Sequence, residues 1–291
     1  MDNKVKLNFK RDLDLMFFLW KWKMAPSIVL FHHFFKEAGF RTGYNRLMRL
    51  EKGGFIKSVT IDRNHGWIWS LADKGFRCIR ERLPKLEEVG YKSENIAHDL
   101  LVNSVHSGEW YKNPPEGCSW ITEQELRRLS LGELPIWVPK SDLHRPDGYW
   151  LAPYKDGYRT LALEVELNFK DDLKYGSVGR FYENSEEVSA ILWVVKTKPM
   201  GTKIHKALKD GIMGSHFCHS FVSLSDFLKS GWQAKIFLGQ NAGFTMSQMI
   251  HSGSSHHGSP GGVMCMGHAW IDTRKKPINT ALSKSFAIYH F

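Results

Sequence analysis

The sequence nowhere runs for the roughly 18 consecutive apolar residues that a membrane-spanning helix needs. Its opening stretch, MDNKVKLNFKRDLD, is charged and has no apolar core of the kind a secretion signal carries, so neither export nor membrane insertion is expected. Cysteine is scarce. Cys78, Cys118, Cys218 and Cys265 lie far apart without a C-x-x-C pair, which argues against a disulfide framework and a cysteine zinc site and fits a reducing, cytoplasmic setting. No internal repeat is present. Acidic residues are also in deficit, 30 against 40 Lys and Arg, leaving a net charge of +10.

With 42% hydrophobic and 24% charged residues, the chain has the composition of an ordinary folded protein, and 291 residues are enough for two cores. The positive charge is concentrated: residues 1–90 hold 18 Lys and Arg against 10 Asp and Glu, an excess of eight. Such a local excess attracts a polyanion and gains from counterion release, so nucleic acid is the leading partner. An anionic membrane surface is the weaker reading, because the basic residues sit inside a patterned domain. Three parts are expected: a DNA-binding domain over 1–90, an α/β domain over 91–240, and a Gly/Ser/His-rich segment over 241–291.

Residues 12–23 (DLDLMFFLWKWK) predict a first helix with Asp12 near its N-terminus. After Pro26 a second helix is expected from Ser27 to Lys36. A third follows in RTGYNRLMRLEKGGF, where Leu47 and Leu50 stand at helical spacing ahead of a Gly53-Gly54 stop. In FIKSVTIDRNHGWIWSLADKG two alternating runs flank Asp62-Arg63-Asn64-His65-Gly66, the pattern of a β-hairpin, and another helix should run from about Asp73 to Leu83. Together these make a winged helix-turn-helix, whose third helix commonly enters the major groove. Arg41, Tyr44, Asn45, Arg46 and Arg49 on that helix, with Arg63 in the wing, are the expected DNA contacts. Winged helices also bind proteins, but the charge excess favours DNA. Trp67 and Trp69 share one hairpin face and are expected in the core.

Pro84 and the charged stretch to Ser93 read as a linker. Beyond it, a helix over 94–111 leads into short apolar segments in SWITEQEL, HRPDGYWLAP, YRTLALEVELNFK and SAILWVVKT, with a helical stretch around 171–187 among them. SFVSLSDFLKSGWQAKIFLG is read as a helix and then a last strand. The order is mixed α/β.

The sharpest feature is Arg145-Pro146-Asp147-Gly148-Tyr149-Trp150 followed, one hairpin later, by Leu161 to Lys170. Alternation along a strand sends Glu164 and Glu166 to one face and Leu163, Val165 and Leu167 into the core. If Asp147 ends the preceding strand on the acidic face, its carboxylate can meet Glu164 around a hard divalent cation, Mg²⁺ or Mn²⁺. Such an ion polarises a phosphodiester and lowers the pKa of a bound water, and Lys170 or Lys174 adds positive charge. The plain alternative makes Glu164 and Glu166 the solvated face of an amphipathic strand. His98 is either a buried, hydrogen-bonded histidine or a positioning group beside the metal. Glu125 is either a further acidic group or a surface residue beside Arg127 and Arg128. His251, His256, His257, Cys265 and His268 are zinc-ligand types without fixed spacing, and no metal site is expected there.

Pro146-Asp147 and Glu164-Val165-Glu166 resemble the two half-motifs of the PD-(D/E)xK nuclease superfamily, with Glu166 where a lysine usually stands, so that Lys170 takes the lysine role. More widely, the winged helix, the H-D-L-L helix from His98 to Leu101, T-E-Q-E-L, R-P-D-G and L-E-V-E-L-N-x-K resemble the MobC-type plasmid mobilisation relaxases and related replication-relaxation proteins over roughly residues 10 to 205. The resemblance implies a bacterial protein with a restriction-endonuclease-like mixed sheet flanked by helices. It further implies nicking of one strand at a transfer origin with a divalent metal, and an accessory mobilisation protein as partner. Relaxases of other classes use a tyrosine, and Tyr149, Tyr154, Tyr158, Tyr175 and Tyr182 all lie near the motif; a metal-activated water needs none of them. Two other functions compete: a catalytically inactive DNA-binding regulator, and a restriction or transposition endonuclease.

Overall fold

The computed structural model describes residues 5–60, 67–107, 118–154, 157–210 and 218–251. Helix α1 (Phe9–Trp22) begins where the Asn8 side chain accepts the Arg11 N–H at 3.2 Å, and it buries Leu13, Leu15, Met16, Phe18, Leu19, Trp20 and Trp22. Buried residues on nearly every side mark a helix central to its core rather than one lying on a surface. A short strand β1 (Met24–Pro26) leads into α2 (Ser27–Phe34). Gly39, at φ 73°, turns the chain into α3 (Phe40–Lys52), which buries Gly43, Leu47 and Leu50 and ends at Gly53. Strands β2 (Ile56–Thr60) and β3 (Trp67–Leu71) follow, then α4 (Asp73–Ile79), and the expected continuation to Leu83 tightens into a 3-10 turn at Arg80–Arg82. The strands form an antiparallel sheet in the order β1-β3-β2. Trp69 is buried, its indole N–H donating to Ser27 Oγ at 2.8 Å. Trp67, expected in the core beside it, is 43% exposed at the first position of β3, where the strand emerges from the core that buries Ile68 to Leu71.

The stretch from Pro84 to Ser93 is pinned along its length: Leu86 bridges Leu129, Trp20 donates to the Gly90 carbonyl at 3.1 Å, and Tyr91 stacks on Phe76. Helix α5 (Ile96–His106) is capped by Asn95. Strand β4 (Ser119–Thr122) ends at Thr122, which with Glu125 forms a capping box for α6 (Glu123–Arg128). Then come β5 (Gly148–Tyr154), β6 (Gly157–Glu166), α7 (Asp172–Glu183), β7 (Val188–Val195), α8 (Lys198–Asp210), β8 (His219–Ser223), α9 (Leu224–Ser230), β9 (Leu238–Gly239) and α10 (Met246–His251). The segment 220–239, expected as a helix followed by a strand, runs strand, helix, strand. His219 to Ser223 pair with β7, and the Ser223 hydroxyl then caps α9.

This second sheet is mixed, in the order β4-β5-β6-β7-β8-β9, with β4-β5-β6 antiparallel and β6-β7-β8 parallel. Helices cover both faces. Leu161, Leu163, Val165, Leu192 and Val194 pack with Leu101, Val102 and Val105 of α5, while Tyr149, Ala162, Ile191 and Trp193 pack with Tyr175 and Tyr182 of α7 and Ile204 and Leu208 of α8. The latter cluster continues through Ile121 and Tyr91 into α1. Among the described residues no helix is long and apolar enough to cross a membrane.

Candidate functional site

Asp147 does not end a strand; it immediately precedes β5. Because β5 and β6 run antiparallel, with Gly148 opposite Leu163, this still sets Asp147 beside the carboxyl end of β6, where Glu164 and Glu166 lie. Every polar group of Asp147 is engaged. Its N–H donates to the Leu163 carbonyl at 3.0 Å, and its carbonyl accepts from the His106 ring at 3.0 Å and from the Glu123 N–H at 3.3 Å. Its carboxylate accepts the Val165 N–H at 2.7 Å. The glycine of R-P-D-G is required by this packing: a Cβ at Gly148 would stand 2.2 Å from the His106 ring and 2.7 Å from the Ile121 carbonyl.

Two histidines hold Asp147, one at its carbonyl and one at its carboxylate. His106 is buried, and since the Trp150 indole N–H donates to its Nδ1 at 2.8 Å, the ring proton sits on Nε2 and points at the Asp147 carbonyl. Burial holds its pKa down at about 4, so it is neutral. His98 has the opposite character. Its Nε2 lies 3.1 Å from the Val165 carbonyl and 3.6 Å from the Asp147 carboxylate, and its Nδ1 lies 3.7 Å from Asp99. Burial alone would discharge it, but Asp147, Asp99 and the carbonyl outweigh that and raise its pKa to about 11. Asp99 is buried and pairs in turn with Lys23 at 3.0 Å; Lys23, which also pairs with Glu123, carries a positive φ of 62°.

Glu164 and Glu166 do share one face, as alternation requires, but it is not a solvated face: each is only 8% exposed under α7. Glu164 Oε1 accepts from the His144 ring at 2.6 Å and from the Tyr182 hydroxyl at 2.5 Å. His144 packs edge-on against the rings of Phe181 and Tyr182; burial opposes its charge, yet the Glu164 carboxylate prevails and raises its pKa. Glu166 pairs with Lys170 at 3.0 Å, and burial pushes its carboxyl up further than Lys170 draws it down. The Tyr175 hydroxyl accepts the Lys170 N–H at 3.2 Å. His144 and His106 were not singled out from the sequence; Tyr182 was named only as a possible nucleophile, and Asp99 only as part of the H-D-L-L motif. His144 left a signal there, standing three residues before Asp147 in H-R-P-D, whereas His106 left none.

The other expected site residues are dispersed. Glu125 is committed to its cap and to Lys21 at 3.0 Å, and Lys174 lies exposed near Asp171. On α3, Arg41, Asn45 and Arg49 are exposed, whereas Arg46 is turned inward to the fully buried Asp12 and the Lys6 carbonyl, and Tyr44 is half-buried against Trp69. Arg63, His256, His257, Cys265 and His268 lie outside the described residues; His251 is exposed at the end of α10. Tyr154 and Tyr158 sit at the far end of the β5-β6 hairpin, about 20 Å of strand from Asp147. Tyr149, Tyr175 and Tyr182 are buried, and burial raises all three hydroxyls above the ordinary tyrosine range, which disfavours the phenolate a nucleophile needs.

The carboxylates of Asp147, Glu164 and Glu166 are hard oxygen donors suited to Mg²⁺ or Mn²⁺. Among the described residues, however, no three His, Cys, Asp or Glu side chains converge as a metal-binding group, and an ion at Glu164 or Glu166 would have to share oxygens with His144, Tyr182 or Lys170. What the arrangement provides as it stands is a line of buried acids interleaved with cationic groups at the carboxyl edge of β6. Comparison with family models, with curated proteins and with solved structures yields no match.

Proposed function

We propose that the chain is a DNA-processing protein that nicks a phosphodiester with Mg²⁺ or Mn²⁺ at Asp147, Glu164 and Glu166, in the manner of the plasmid mobilisation relaxases its motifs resemble, with α1 to α4 acting as the DNA-binding winged helix. The observation that carries this reading is the meeting of Asp147, the residue just before β5, with the carboxyl end of the antiparallel neighbour β6. In an open α/β sheet the crevice outside the carboxyl ends of the strands is where ligands commonly bind. Asp147, Glu164 and Glu166 would be the residues to hold a divalent ion there, at the expense of the partners that Glu164 and Glu166 now have, and the ion would supply Lewis acidity toward the phosphate. Lys170, kept charged because Glu166 outweighs the effect of burial, is placed to neutralise a phosphate oxygen. His98, charged across the neutral range, fixes the Asp147 carboxylate, and His144 can give a proton to a leaving oxygen.

Supercoiled plasmid tests the reading: with Mn²⁺ the protein should yield nicked circles, and Asp147→Ala should abolish nicking while DNA binding persists. Linear product would instead make the chain a restriction or transposition endonuclease. A second reading, an inactive DNA-binding regulator, is favoured by the partners that already occupy Glu164 and Glu166; it predicts tight DNA binding and intact plasmid with every metal.

A further inference from the structure

From Val188 to Lys209 the sequence holds five lysines, Lys196, Lys198, Lys203, Lys206 and Lys209, and no Asp or Glu. The fold gathers them. Lys196 directly follows β7, and its N–H donates to the Glu166 carbonyl at 3.0 Å. The other four lie on α8, which turns Gly201, Ile204, Ala207 and Leu208 inward and leaves the lysines exposed. Lys203 rests on the ring of Phe169, 3.7 Å from its centroid, next to the Lys170 that pairs with Glu166. The cationic run therefore starts at the acids and continues along α8. Lys198, which pairs with Asp226, and Lys209 are separated by about 16 Å of helix, roughly the axial rise of five nucleotides in one DNA strand.

We propose that Lys196 and the exposed face of α8 form a second DNA surface, separate from α3, that takes the sugar-phosphate backbone and leads it to Asp147, Glu164 and Glu166; the choice of DNA as partner rests on the function proposed above. Charge complementarity selects the occupant. Five lysines against Asp226, which pairs with Lys198, and Asp210 at the end of α8 leave a clear excess of positive charge that suits a uniform polyanion, and the exposed face offers a membrane little to insert, since Pro199 and Thr202 accompany the lysines there.

Fluorescence anisotropy with labelled duplex and single-stranded oligonucleotides, from about 0.05 to 0.3 M salt, tests this on the full chain. In Lys196→Gln/Lys203→Gln/Lys206→Gln the slope of log affinity against log salt should fall by roughly two to three, and affinity near 0.15 M should drop on the order of a hundredfold. The single variant Lys206→Glu, at an exposed helix position, should lower the slope by about one or more with an unchanged melting temperature, which separates contact loss from misfolding. Wild-type slopes and affinities in both variants overturn the proposal, as does lysine-dependent uptake onto phosphatidylserine vesicles without any effect on DNA. If the lysines govern DNA binding but no metal supports nicking, the nicking function fails and this surface stands; if nicking persists and the lysine variants bind as wild type, the reverse holds.

Discussion

The two halves of this chain handle charge in opposite ways. In the α1 to α4 region the cations thought to meet DNA, Arg41 and Arg49, stand in solvent, and only Arg46 is drawn inward by the buried Asp12. Around β5 and β6 the charged groups are buried and each is held by a named partner: Asp147 by His98 and Val165, Glu164 by His144 and Tyr182, Glu166 by Lys170. Solvated charge acts through its field, is tuned by salt and contributes little to stability. Buried charge is costly unless paired, so it ties local chemistry to the stability of the fold. Substitutions in the two regions should therefore be distinguishable by what they damage.

The largest effect should come from breaking the buried set. Asp147→Ala leaves His98 charged without its main partner and the Val165 N–H unsatisfied, and chemical denaturation should show a loss of about 3–5 kcal/mol. Asp147→Asn, which keeps the Val165 hydrogen bond, should recover part of that loss. Next, Tyr182→Phe removes one of two donors from the buried Glu164 carboxylate and should cost about 1–3 kcal/mol, with the fold retained.

The comparison also sets the pH response, because two histidines of the buried region are shifted in opposite directions. His98 is raised to about 11, so its contribution is complete below its ordinary pKa near 6.5 and is lost progressively as pH climbs toward 11. His106 is lowered to about 4, so its contribution is present above about 6.5 and is lost as pH falls toward 4. Thermal melts should thus show a maximum near pH 6.5 with a fall on each side, and His98→Gln should flatten the alkaline side alone. At the small end, Arg41→Gln/Arg49→Gln should change stability by no more than about 0.5 kcal/mol while lowering the salt slope of DNA binding by roughly two. A stability loss as large as that of Asp147→Ala would erase the contrast between the regions.

Legibility in the sequence divides along the same line. The helices and hairpin of the first region follow apolar spacing and glycine stops, so their order and most limits were readable; the exposed Trp67 and the inward Arg46 were not, since both depend on what packs across from them. In the second region, alternation put Glu164 and Glu166 on one face, and the hairpin set R-P-D-G against it. Spacing could not reveal that α7 buries that face, or that His144 and Tyr182, drawn from a loop and a helix 18 to 20 residues from Glu164, close over it. Nor could it show His106 reaching across 41 residues to the Asp147 carbonyl, the contact that makes Gly148 necessary.

The central claim, that the carboxylate of Asp147 and those of β6 act as one site, is tested most directly by metal binding in the absence of DNA. Titration of the full chain with Mn²⁺, followed by the electron paramagnetic resonance of the free ion, should show saturable binding that Asp147→Asn and Glu164→Gln each abolish, as a shared ion demands. Binding untouched by either substitution, or no binding at all, would contradict the account and remove the basis for metal-dependent nicking at these carboxylates.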